Sequence, residues 1–152
     1  MYKKIIVAVD GSETSQCAQQ EAVKLAKDQN AKLLLIHVVE ENLVFTGGPS
    51  FDYGAVVTLY KEEGQRILDE SKAAVAKHSS VHVETKLIEL RPFHGRIAEV
   101  IVDEAGEWSA DLLVVGMHGR RGFSRLFLGS VAENIIRIAM TPVLLVRSLS
   151  LT

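Results

Sequence analysis

KKIIVAVDGSETSQCAQQEAVKLAKDQNAKLLLIHVV, Lys3 to Val39, changes its hydrophobic period twice. Ile5 to Val9 form a short continuous apolar run rich in β-branched residues, as expected of a strand covered on both faces. Asp10-Gly11-Ser12 then supplies a turn. From Glu13 to Gln29, Ala18, Ala22, Leu25 and Ala26 recur at helical spacing while Gln19, Glu21, Lys24 and Lys27 fall elsewhere, which predicts an amphipathic helix with Ser12 as its N-cap. Ala31 to Val39 reads as a second buried strand. Two strands joined by a helix must run parallel, with a right-handed crossover.

The same alternation continues outward. After an irregular segment, Glu40 to Gly54, the residues Tyr60, Gly64, Ile67, Leu68, Ala74 and Val75 trace one face of a long helix ending near His78. VHVETKLIEL, 81–90, alternates with period two and reads as a more exposed edge strand. Beyond Arg91-Pro92, Ile97, Val100, Ile101 and Ala105 mark a third helix opposite Arg96, Glu99 and Asp103. ADLLVVGM, 110–117, is a fourth strand, SVAENIIRIAM, 130–140, a fourth helix, and Pro142 introduces a fifth strand, VLLVRS. The class is α/β: one domain over residues 1–152, with five parallel strands in a doubly wound open sheet of order 3-2-1-4-5 and helices on both faces. The order reverses between the first and fourth strands, and ligands of such sheets bind outside the carboxyl ends of the strands at that point.

Composition excludes several alternatives. The 152 residues are 47% hydrophobic and 24% charged, which suits one globular domain. A net charge of −2 offers no basic footprint for nucleic acid or anionic membrane. The lone Cys17 cannot pair within the chain, and no apolar stretch nears the roughly 20 residues of a membrane helix. The basic start before Ile5 lacks a signal-length apolar run. A soluble cytoplasmic protein is expected.

At the switch point stands GMHGRRGFSRLFLGSVAEN, with Gly116 and Gly119 separated by two residues and Gly129-Ser130 following after nine. Glycines there would allow close approach to a ligand and positive φ. The N–H groups of Ser130, Val131 and Ala132 would open a helix and could receive a phosphate, with the Ser130 hydroxyl as a further donor. Arg120 and Arg121 lie where a polyphosphate tail could be gripped. A structural alternative stands beside this reading: Ser130-x-x-Glu133 is a capping box, in which Ser130 satisfies the Glu133 amide. Asp10 is either an acceptor for ribose hydroxyls or a turn residue or helix cap. The Walker and dinucleotide glycine motifs are absent.

His118 could donate to a phosphate or be an exposed loop residue, and His37 reads as a hydrogen-bonded core histidine. His78, His82 and His94 lack metal-ligand spacing, so no protein-built metal site is expected. Cys17 reads as structural, and neither a nucleophile elbow nor an acid-base pair can be assigned.

The chain resembles the universal stress protein family of UspA-like proteins over essentially its whole length. The carriers are KKIIVAVDGSETS, LLLIHVV, ADLLVVGMHGRRG and LGSVAENIIRIAMTPVLLVR. The family's nucleotide-binding members carry G-2x-G-9x-G-[ST], which Gly116, Gly119, Gly129 and Ser130 fulfil. The resemblance implies an adenine-nucleotide alpha hydrolase-like fold and membership of the ATP-binding branch. It places Ala8, Val9 and Asp10 on adenosine, with Asp10 on the ribose, and the Val38 backbone on the adenine edge. Gly116, His118, Gly119 and Arg120 would line ribose and phosphates, and Gly129, Ser130 and Val131 would receive the phosphate tail. It further implies Mg2+ held through ATP's phosphates, and a homodimer through the last strand, Pro142 to Ser148. The resulting expectation is a dimeric stress or regulatory module whose nucleotide occupancy a protein partner reads. A slow ATPase or phosphoryl or adenylyl transferase, and a nucleotide-free dimeric scaffold, are the alternatives.

Overall fold

The structure, a computed structural model, describes residues 1–41, 52–92, 95–118 and 128–148. Strands and helices alternate as β1 (Lys4–Ala8), α1 (Glu13–Gln29), β2 (Lys32–Glu40), α2 (Tyr53–His78), β3 (Val83–Leu90), α3 (Ile97–Glu107), β4 (Leu112–Gly116), α4 (Ser130–Ile138) and β5 (Val143–Val146). The strands form one parallel sheet of order β3-β2-β1-β4-β5, as the sequence predicts.

Double coverage explains why the central strands are apolar without a break. Ile5, Val7, Leu33, Leu35, Leu112 and Val114 face one layer, where α1 contributes Ala18, Ala22 and Ala26 and α2 contributes Ile67, Leu68 and Val75. Their neighbours Ile6, Leu34, Ile36, Leu113 and Val115 face the other, against Ala98, Ile101 and Ala105 of α3 and Ile135 of α4. Successive side chains point to opposite faces, so each strand must be apolar at every position to fill two cores. The edge strand β3 escapes this demand and alternates exposed and half-buried residues, with only its last, Leu90, buried. Lys86 projects from it and donates to both carboxylate oxygens of Glu104 on α3, at 2.9 and 2.8 Å. That pairing accounts for a glutamate only 8% exposed.

Helix boundaries follow local polar chemistry. Ser12 caps α1 by accepting the Ser15 N–H at 3.2 Å, and Asn30 ends it in the left-handed region at φ 53°. Asp52 caps α2 by accepting the Ala55 N–H at 3.0 Å. The helix therefore begins inside the last residues of the segment read as irregular, one turn before its first buried residue, Val57. Of that segment, residues 42–51 lie outside the described residues.

The middle of the sheet is pinned at its N-terminal end by Asp111. Its N–H donates to the Lys4 carbonyl at 2.8 Å, and its carboxylate accepts the N–H groups of Lys3 and Lys4 at 2.7 and 2.8 Å. This exchange sets β1 against β4 with Ile5 beside Leu112. The two backbone donors hold the Asp111 carboxyl below the usual carboxylate range. A carboxyl depressed in the folded state stabilises above its unfolded value, about 3.9, and loses that contribution as pH falls through its folded value. Asp111→Ala should therefore be less stable than wild type at pH 7 in urea unfolding, with the gap narrowing as the pH is lowered below 4. A gap of constant size would show that the carboxylate charge is not what ties β1 to β4.

Candidate functional site

Unequal strand lengths create the site. β1 stops at Ala8 while β2 runs to Glu40, and between β1 and β4 the chain leaves for opposite faces of the sheet. The gap is a cleft of about 440 Å3, bounded by the ends of β1, β2 and β4 and the starts of α3 and α4. That volume lies in the range of small-molecule sites, roughly 300–1,000 Å3.

On the β1 side, the Val9 N–H donates to the Ile36 carbonyl at 2.8 Å. Asp10 then turns the chain: its N–H donates to Ser15 Oγ at 3.3 Å, and its Oδ1 accepts the Ser12 N–H at 2.8 Å. Gly11 completes the turn at φ 81°, a conformation that favours glycine. The two readings of Asp10 are thus compatible, for the residue holds the turn and lines the cleft. Val38 sits two residues beyond Ile36, so its N–H and C=O point to the same side as the Ile36 carbonyl, past the end of β1. This leaves a backbone donor and acceptor side by side on the cleft wall.

On the β4 side the glycines act by size rather than by φ. Among the described residues, the glycines at positive φ are Gly11 and Gly95; Gly129 lies at φ −62°. The expected positive φ at Gly116 and Gly129 is corrected accordingly. A Cβ on Gly116 would stand 2.7 Å from Thr14 Cγ2 and 3.2 Å from the Thr14 carbonyl carbon, so glycine lets α1 press on the end of β4. A Cβ on Gly129 would stand 3.0 Å from His118 Cα, because the Gly129 N–H is bound at 2.6 Å to the Met117 carbonyl.

That short bond also overturns the capping box. It leaves Gly129, in an extended conformation, as the N-cap, and α4 begins at Ser130 with no side-chain cap. The Glu133 N–H goes to the Gly129 carbonyl at 2.9 Å, and the Glu133 carboxylate turns to Arg137 at 2.7 Å. Ser130, Val131 and Ala132 line the cleft at the positive end of the helix, where their N–H groups have no intrahelical acceptor.

His118 lies beside them with Nδ1 buried and without a hydrogen-bond partner among the described residues. The structure thus gathers Ala8, Val9, Asp10, Val38, Gly116, His118, Gly129, Ser130 and Val131 around one cleft. Gly119, Arg120 and Arg121 lie outside the described residues. His37, Glu40, Tyr60, Glu63, Ile97 and Ile101 also line it and were not legible as site residues. Those on α2 and α3 arrive through packing and leave no local signal. His37 is hydrogen-bonded as expected, through Nδ1 to the Val9 carbonyl at 2.7 Å, but it is half-buried rather than in the core. Nearby, the Tyr53 hydroxyl donates to Glu41 at 2.8 Å, joining the ends of the chain that flank residues 42–51. Among the described residues, no group of three or more His, Cys, Asp or Glu side chains is placed to hold a metal, and no helix is long and apolar enough to cross a membrane.

Gly116→Ala should cost about 1–3 kcal/mol in urea unfolding, the range of an overpacked core. Adding Thr14→Ser removes Cγ2, the nearer clash, and should recover part of the loss while the 3.2 Å backbone approach retains the rest. An additive double variant would refute the contact.

Comparison with known proteins agrees with this architecture. The sequence profile of the Universal stress protein family matches residues 1–147. A universal stress protein of Methanocaldococcus jannaschii is 38% identical over 148 residues, covering 97% of this chain and 83% of that one. Among solved structures, a universal stress protein family member from Burkholderia pseudomallei shares 34% identity, with a TM-score of 0.78 and 96% of each chain covered. A universal stress protein solved in complex with cAMP is 28% identical, with a TM-score of 0.71 over 97% of this chain and 98% of that one.

Proposed function

We infer that this chain, which belongs to the universal stress protein family, is an adenine-nucleotide-binding module with ATP as its ligand. The observation that carries the reading is the uncapped start of α4 opening into the same cleft as Asp10 and the Val38 backbone. Each part of the ligand has a chemical counterpart there. The Val38 carbonyl can accept from the adenine amino group and its N–H can donate to the adjacent ring nitrogen. An ionised Asp10 is acceptor-only and suits ribose hydroxyls. Phosphates go to the amides of Ser130, Val131 and Ala132 and the Ser130 hydroxyl, with Gly119, Arg120 and Arg121 in the adjoining segment.

The fit draws on one observation: His118 Nδ1 is buried beside the cleft without a hydrogen-bond partner among the described residues. Mg2+ in this reading is carried by phosphate oxygens and water, as that ion prefers. Support from outside the chain comes from the related protein solved with cAMP, an adenine nucleotide. We place the module in the cytoplasm as a homodimer whose nucleotide occupancy is read by a protein partner. The single cysteine supports the first. The outer edge of β5, a hazard unless covered, supports dimerisation through Pro142 to Ser148.

ATP with Mg2+ at a hundredfold excess over its dissociation constant should stabilise the protein by about 2.7 kcal/mol, read as a rise in melting temperature. Gly129→Val should abolish the rise, whereas Cys17→Ala should retain it. No rise at millimolar ATP would sink the reading. Repeated release of phosphate, lost in His118→Ala, would move it to the enzyme alternative, as a slow ATPase. Light scattering should return about twice 16.7 kDa, and a single-chain mass would remove the dimer from the proposal.

A further inference from the structure

His37 is bound to the Val9 carbonyl, one residue past the end of β1. The Val9 N–H is already held by Ile36, and the Val9 carbonyl is met by His37 Nδ1 at 2.7 Å. A carbonyl only accepts, so Nδ1 carries the proton, and the ring is fixed in one tautomer. The back of the ring is fixed as well. A Cβ on Gly64 of α2 would stand 2.7 Å from His37 Cδ2 and 3.2 Å from Nε2, so the helix backbone lies directly on the imidazole. Glycine inside a helix costs about 1 kcal/mol relative to alanine, and here close packing on a ring gives it a purpose.

We propose that His37 is the positioning residue of the cleft: its imidazole, backed by Gly64, fixes the Val9–Asp10 peptide and so aims the Asp10 carboxylate. The inference rests on the nucleotide reading above. The ring acts through Val9 rather than on a ligand. With Val9 gripped at both its N–H and its carbonyl, Asp10 follows in a single orientation, which Ser12 and Ser15 then complete. Loss of the imidazole frees one side of that peptide while leaving β1 in the sheet.

Three variants separate positioning from filling of space. An asparagine side chain presents its amide nitrogen near the location of Nδ1, whereas a glutamine amide reaches toward that of Nε2. By calorimetric titration with ATP and Mg2+, His37→Leu should bind about tenfold more weakly, the worth of one hydrogen bond at the upper end of its usual range. His37→Asn should bind nearly as wild type, and His37→Gln should resemble His37→Leu. If His37→Leu does not fold, the contrast between Asn and Gln decides alone. Wild-type affinity in all three variants, or rescue by Gln and not by Asn, overturns the proposal. If wild type itself binds no adenine nucleotide, the functional reading fails first, and two ligand-free measurements decide the geometry. Nitrogen-15 NMR should show His37 protonated at Nδ1, and amide exchange at Asp10 to Ser12 should quicken in His37→Gln but not in His37→Asn. A ring without a proton on Nδ1, or unchanged exchange in both, overturns it.

Discussion

Everything distinctive about this molecule depends on β1 ending before its neighbours. A parallel ladder satisfies its backbone groups only while strands lie side by side, and β1 ends at Ala8 while β2 runs on to Glu40. Past that point the sheet has a notch with polar backbone along its walls. The notch lies where crossovers leave for opposite faces, so no helix closes it. Its floor is the packed core, and its open end faces the start of α4.

Three local devices keep the notch open and shaped. The turn at Asp10 and Gly11 sends the chain away into α1. Gly116 lets α1 sit against the end of β4, so β4 can deliver Met117 and His118 without being pushed aside by Thr14. Gly129, bound to the Met117 carbonyl, returns the chain to the sheet and begins α4 one residue before Glu133 could be drawn into a box with Ser130. Each device is a backbone approach too close for a side chain or a hydrogen bond that selects one turn. Charge has the smaller share: the Glu133 carboxylate is turned aside to Arg137, and the helix end is left to its own dipole.

Far from the cleft, the same sheet is secured at its opposite end by Asp111 and along its β3 edge by Lys86 and Glu104. These contacts serve the scaffold. Asp111 fixes β1 against β4, Lys86 ties β3 to α3, and the pairing of Ala8 with Ile36 sets the register of β1 on β2, which decides that Val38, and not His37, turns its backbone into the notch. A slip of one residue would reverse both the core faces and the cleft wall.

The order of elements, the edge position of β3, the Ser12 cap and the turn and glycine residues of the cleft were legible in the sequence, because period and turn chemistry are local properties of the chain; Ala8 and Val38 were marked by the family resemblance alone. The spacing of Gly116, Gly119 and Gly129-Ser130 was legible too, but its physical cause was not. Sequence suggested positive φ and a capping box; packing made the described glycines, Gly116 and Gly129, sites of close approach and left Ser130 inside the helix. Tyr60, Glu63 and Gly64 carry no local mark of the site, since α2 reaches the cleft only by lying across β2, and His37 of β2 carries none because its partners, Val9 and Gly64, lie on other elements. What the sequence by itself determined was therefore which segments form strands and helices and where the sheet must reverse, through the pattern of apolar residues. Only the tertiary structure decided which backbone groups are left unpaired there and which side chains hold them, because both depend on where distant elements come to rest against one another.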